Sequence, residues 1–170
     1  PGTYEYGITN NSIGRCGDWT YFGTPKLTYY SDKNTEPGTD LTNSYLNNPG
    51  FETGDLTGWT TESSNDTGVR DANDETYKAQ GSEGKKLFNT WSDGKALTQN
   101  IGKLKAGVYE LSAMLATGDN PNSKGTVYLT VNDTKSAGMV SRNGNKQVMH
   151  KETLTFVSDG KTETTIGAVG

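Results

Sequence analysis

One cysteine and one histidine are all that this chain of 170 residues carries. Cys16 has no second cysteine to bridge, so an intramolecular disulfide is excluded. Together with His150 it makes half of the four Cys/His ligands that a structural zinc site normally takes. Apolar residues are also scarce, at 30%, and no run is long enough to cross a bilayer as a helix. Membrane insertion is therefore not expected. Basic charge is sparse: 16 Lys and Arg against 20 Asp and Glu give a net charge of −4. With no basic stripe, nucleic acid is excluded as an expected partner. No segment sustains an apolar period of 3.6 residues, so helices should be short or absent.

Catalytic patterns are missing too. His150 lies between Met149 and Lys151 with no motif around it, which leaves a Ser-His-Asp arrangement without support. Cys16 and His150 carry no nucleophile signature either. A glycosidase needs two carboxylates at a set separation, and the spacing of Glu52, Glu75, Glu83 and Asp93 defines none. No glycine-rich phosphate loop occurs. The chain is read as a non-enzyme.

What is present is aromatic and β-branched residues set between Gly, Asn and Asp turns. Nine Tyr, four Phe and three Trp are too many for a disordered polar chain. Several segments alternate with period two, as half-buried strands do. Residues 108–115 put Tyr109, Leu111, Ala113 and Leu115 on one face, with Glu110 and Ser112 on the other. Val127, Leu129 and Val131 form a second such set, Leu97, Gln99 and Ile101 a third, and Leu154 with Phe156 a fourth. Asp93-Gly94 and Asp159-Gly160 read as hairpin turns, and Lys105-Ala106-Gly107 as a turn into the next strand. These features predict an all-β, two-sheet antiparallel sandwich of the jelly-roll type.

The most specific stretch is Asn47-Asn48-Pro49-Gly50-Phe51-Glu52-Thr53-Gly54-Asp55-Leu56-Thr57-Gly58-Trp59. Asn-Pro-Gly breaks regular structure, Phe51 is expected to anchor the first core strand, and Glu52 beside it should face outward. Gly54 and Gly58 supply φ > 0 corners before Trp59, which reads as a core residue. This stretch resembles the opening of galactose-binding-like jelly-roll carbohydrate-binding modules, of family-4 and related types. Leu87-Phe88-Asn89-Thr90-Trp91, Leu97-Thr98-Gln99-Asn100-Ile101 and Leu104-Lys105-Ala106-Gly107-Val108-Tyr109 are similar to later parts of the same pattern. The resemblance covers most of residues 41–115 and the remainder more weakly. It implies non-catalytic attachment to plant or host polysaccharide or oligosaccharide, within a secreted or bacterial cell-surface protein that also carries a catalytic domain. The alternative is a structural sandwich repeat or spacer in a surface protein or adhesin.

The chain ends are out of the family's order. Residues 1–30, with Tyr6-Gly7-Ile8 and Lys26-Leu27-Thr28-Tyr29-Tyr30, resemble the closing strands that normally come last. Residues 164–170 echo the first of these, and the chain stops there. The organisation expected is closing strands at 1–30, a linker loop at 31–40 and the module's main body at 41–170. Either the leading segment closes its own module, as a circular permutation, or it ends an upstream one. The echo between the ends can also be chance in a Gly/Thr-rich chain.

The same resemblance implies a structural calcium held by Glu52 and an Asp of the closing turn, where this chain has Gly23. Calcium takes about six to eight oxygens, so Glu52 reads equally as a carboxylate accepting backbone N–H bonds. For sugar binding, a ring offers large contact area at small entropic cost, and amides both donate and accept. Trp91, flanked by polar residues, is the candidate stacking platform, with ordinary packing as the alternative. Tyr77, Arg70 and Gln80, from the unpatterned loop at 62–80, and Asn89 are the candidate hydroxyl readers; the loop is equally readable as a solvated acidic segment.

Overall fold

The structure is a computed structural model, and it describes residues 20–30, 38–61, 67–73, 79–90, 96–117, 126–138 and 147–170. In chain order its elements are β1 (Thr20–Tyr30), β2 (Thr39–Asp40), α1 (Thr42–Tyr45), β3 (Thr60–Thr61), β4 (Thr67–Asp71), β5 (Ala79–Gln80) and β6 (Lys86–Thr90). They continue with β7 (Ala96–Lys103), β8 (Gly107–Thr117), β9 (Tyr128–Val131), β10 (Thr134–Lys135), β11 (Gln147–Val148), β12 (His150–Ser158) and β13 (Glu163–Val169). The chain is nearly all β, and two antiparallel sheets form a sandwich. The larger sheet runs β12-β8-β1-β6-β4, with β2 added to β1; the smaller runs β10-β9-β13-β7-β3.

The leading segment enters the larger sheet at its middle. β1 pairs antiparallel with β8 on one side, from Thr20↔Thr117 to Tyr30↔Val108, and with β6 on the other. β1 thus occupies the gap between two strands that would otherwise both be edges. The first half of the leading segment, with Tyr6-Gly7-Ile8, lies outside the described residues. At the other end of the chain, β13 is also interior, between β7 and β9. A Cβ on Gly167 there would run into the carbonyl oxygen of Leu97.

Alternation places the core as expected. Tyr109, Leu111, Ala113 and Leu115 are buried, as are Val127, Leu129 and Val131, and Leu97 and Ile101. They join Phe22 and Leu27 of β1 between the sheets. A second, smaller cluster lies on the outer face of the larger sheet: Tyr21, Leu87, Met114 and Ala116, with Ala72 and Met149. Beside it β5 and β11 make a short sheet of their own, paired in parallel. Strand β8 thus buries both faces at its C-terminal half, where one-sided alternation ends.

Two local readings need correction. Phe51 is fully buried, yet it stands in a turn with φ of 57° rather than in a strand. Residues 47–59 form a plug of successive turns, in which Phe51 and Trp59 close over Phe22 with ring centroids 5.9 and 5.6 Å from it. Gly54 and Gly58 do take positive φ. Asp159-Gly160 is a turn but not a hairpin, because β12 belongs to one sheet and β13 to the other. Turn chemistry fixes a local reversal and is silent about which sheet receives the next strand. Asp93-Gly94 lies outside the described residues.

The plug is held by one buried amide. Gln99 is 4% exposed, accepts from Asn47 N at 2.7 Å and donates to Asn47 O at 2.9 Å. Asn48 extends the same anchor, its backbone oxygen accepting from Trp59 Nε1 at 3.1 Å. Removing the Gln99 amide leaves both backbone groups of Asn47 short of partners. We expect Gln99→Leu to cost about 2 kcal/mol, measured as a lower urea midpoint with an unchanged slope.

The turn after β12 carries a pH dependence of known sign. Asp159 accepts from the backbone N–H groups of Thr162 and Lys161 and from Thr162 Oγ1, and these bonds lower its pKa from 3.8 to about 2. A carboxyl depressed in the folded state contributes stability that is complete above its unfolded pKa and is lost as pH falls through the folded one. The turn should therefore weaken between about pH 4 and pH 2. Carboxyl-carbon NMR should show Asp159 titrating near the lower limit.

Candidate functional site

The structure places the six candidate residues unevenly. Trp91 and Tyr77 lie outside the described residues. Gln80 is placed by its backbone alone, in β5 opposite Val148. Arg70 and Asn89 share the outer face of the larger sheet, since Arg70 pairs with Leu87 and Asn89 with Gly68 and Tyr21. Asn89 is nevertheless fully buried beside the second cluster. Its Nδ2 reaches Thr20 O at 3.5 Å, and its Oδ1 has no partner. A sugar cannot reach that amide in this conformation, whereas Arg70 is exposed.

Glu52 is exposed, and its Oε1 accepts from Lys85 N at 2.8 Å and Lys86 N at 3.2 Å. It ties the plug to the start of β6. Those amides present their positive ends to the oxygen a cation would need. Gly23 offers no side-chain oxygen, and the neighbouring Thr24 offers a buried hydroxyl without a partner. Among the described residues no three His, Cys, Asp or Glu side chains converge. Of the six to eight oxygens that calcium takes, Glu52 supplies a carboxylate whose Oε1 already holds two N–H groups.

A different feature forms an open site. A groove of about 290 Å³ at one end of the sandwich is lined by Tyr29, Leu41, Ser44, Tyr45, Lys105 and Tyr109. It is built from three places: the last turns of β1, the short helix α1, and the turn between β7 and β8. The helix is set by two hydrogen bonds that act in series. Asp40 Oδ1 accepts from Thr42 N at 2.8 Å, and Thr42 Oγ1 accepts from Leu27 N at 3.0 Å. The hydroxyl and backbone N–H of Thr42 together lower the pKa of Asp40. Leu41 N also donates to Leu27 O at 2.8 Å. α1 is thereby laid across β1, and Tyr45 lines the same groove as Tyr29.

The tyrosines form a graded wall. Tyr109 is buried, with its ring 5.1 Å from Tyr29 and stacked on Phe156 at 5.5 Å. Its hydroxyl donates to Lys105 O at 3.0 Å, which fixes the turn carrying Lys105. Burial raises the Tyr109 pKa, with smaller contributions from Tyr45 and Tyr29. Tyr29 and Tyr45 are half-buried and reach the opening. Gly107 makes the approach possible. Its φ is 153°, and a Cβ there would lie 2.5 Å from Cε2 of Tyr29. Among the described residues the lining holds one cation, Lys105, and no carboxylate.

Sequence reasoning missed this groove. Tyr29 was legible only as part of a closing strand, and Tyr45 carried no pattern. The available signal was Asp40-Leu41-Thr42, an acceptor two residues before a hydroxyl, which is how a short turn or helix begins. What it could not give was the partner strand. No family model matches the chain, and neither a curated protein nor a solved structure matches it.

The Glu52 geometry yields a test that separates its two readings. Losing charge from two exposed amide bonds should cost about 1 kcal/mol. We expect Glu52→Gln to lower the denaturation midpoint by the same amount in calcium and in chelator. A loss confined to calcium-containing buffer would instead restore the metal role.

Proposed function

We propose that the chain is a non-catalytic carbohydrate-binding module, and that the tyrosine groove is its sugar site. The supporting observation is the convergence of Tyr29 and Tyr45 at an open groove whose floor, Tyr109, is rigidly packed. Phenol faces suit the C–H faces of a pyranose, and two rings already held by packing lose little entropy on binding. The Ser44 hydroxyl and Lys105 ammonium at the lining are hydroxyl and carboxylate partners for the same sugar. A space of this size takes one or two residues of a glycan, so affinity for a monosaccharide should be weak.

This reading keeps the wider expectation of a secreted or bacterial cell-surface protein, joined to a catalytic domain and anchored to plant or host glycan. Trp91, Tyr77, Arg70 and Gln80 stay with it as a second candidate set, of which Arg70 lies on the outer face of the larger sheet. A structural calcium at Glu52 is a separate proposal, decided by the comparison of calcium with chelator. The competing proposal is a structural sandwich repeat or spacer, and the burial of Asn89 favours it. The two differ in what happens when the groove is emptied.

Tyr45→Ala removes a half-buried ring without opening the core. We expect it to weaken binding about tenfold, the worth of one aromatic contact of about 1.4 kcal/mol. The measurement is retardation in affinity gels containing xylan, glucan, mannan or pectin. Trp91→Ala, run beside it, tests whether any remaining retardation depends on that indole. If the wild-type chain migrates unretarded on all four polysaccharides, the binding proposal fails and the spacer stands.

A further inference from the structure

We propose that the edge of β12 left unpaired among the described residues pairs with the same edge of a second copy of this chain, antiparallel and centred on Thr155. β12 is terminal in the larger sheet and pairs with β8 through nine consecutive residues without a register shift. Edge strands are usually blunted by charge, proline, a bulge or short length. β12 contains neither proline nor glycine, and residues 153–158 carry no charge. Among the described residues the other edges are different. β3 and β10 are two residues long, and β4 carries Arg70 and the Asp71 that pairs with Lys86 at 2.8 Å.

The space for a partner strand is also there. A cleft of about 340 Å³ is lined by the last four residues of β12, Thr155 through Ser158, and by Asp159 directly after it. Successive side chains point to opposite faces, so a continuous run means that the strand's edge itself faces the cleft. On the outer face Val157 is 75% exposed, and Lys151, Thr153 and Thr155 are exposed with it.

Charge selects a second copy and sets its register. With Thr155 on the two-fold axis, Lys151 of each chain stands opposite Asp159 of the other, and Thr153 opposite Val157. Moving the axis to Phe156 sets Lys151 against Lys161. Moving it to Leu154 sets Lys151 against Val157 and leaves Asp159 opposite Met149. Of these three registers the Thr155 one alone sets Lys151 against Asp159 and places Thr153 across from Val157, the kind of pairing that stabilises cross-strand neighbours. The Asp159 carboxylate is held at the strand end by Lys161 and Thr162 N–H groups, so its charge is in a fixed place.

Sedimentation velocity from low micromolar to near-millimolar chain tests this. The wild-type protein should move from one toward two chain masses as concentration rises. Lys151→Glu, at an exposed side chain, should weaken association about tenfold by replacing two attractive cross-strand pairs with two repulsive ones. Asp159→Lys should do the same, and an equimolar mixture of the two variants should associate again as a heterodimer. Should Asp159→Lys fail to fold by circular dichroism, Lys151→Glu decides alone. A wild-type chain that stays single throughout, or association that ignores the Lys151 charge, overturns the proposal.

Discussion

The insertion of β1 between β6 and β8 is the constraint on which the rest of the structure depends. Take it out and the larger sheet falls into β12-β8 and β6-β4, two ribbons of two strands each. Isolated two-stranded ribbons are marginal in water. The core loses Phe22 and Leu27 from its centre, and the turn plug at 47–59 loses the ring against which Phe51 and Trp59 close. The outer cluster loses Tyr21 and the groove loses Tyr29. Every buried layer of the molecule touches this one strand. Its contacts with β8 are also far apart in sequence, and closing so large a loop before the contact forms slows folding.

Much of this was legible from alternation alone. The inward faces of β7, β8, β9 and β12 follow period two, and burial of one face enforces that register. Trp59 was read correctly as core because it ends a stretch of glycine corners and polar residues, with nowhere else to put an indole. The failures have physical causes. Phe51 was taken for a strand anchor as a core-type aromatic following the Asn-Pro-Gly break; positive φ at Asn48 and Phe51 is a tertiary outcome, tolerated because burying Phe51 is worth about 2–3 kcal/mol. Met114 and Ala116 were unexpected on the outer face of β8, since one-sided alternation assumes water there. What covers them is Met149 and Ala72, contributed by segments remote in sequence.

The candidate site was less legible than the fold, for a related reason. Binding residues were sought in polar, unpatterned stretches and beside conspicuous tryptophans. Asn89 fits that search and proves buried, because β6 faces the second cluster where an open rim was expected. Tyr29 and Tyr45 sit in stretches that look structural, one in a strand and one in a single helical turn. They converge only because Thr42 accepts from Leu27 N and lays that turn across β1. A contact set by one hydroxyl between distant segments leaves no periodic trace.

Strand β1 therefore couples stability to the proposed binding surface in a directional way. Its first half is buried on both faces, with Phe22 inward and Tyr21 outward. Its last residues, Tyr29 and Tyr30, are half-buried, Tyr29 at the margin of the main core. The register shift between Gly23 and Lys26, with Thr24 at positive φ, divides the two halves. A bulge raises local twist and re-aims the side chains beyond it. Lys26, Leu27 and Tyr29 all lie beyond it, so the orientation of the groove's tyrosine wall is set at Gly23-Thr24-Pro25. Straightening that bulge would slip β1 by a residue against β8 and exchange its faces. Leu27 would then leave the core and Tyr29 the groove in the same step. Fold and site share one register.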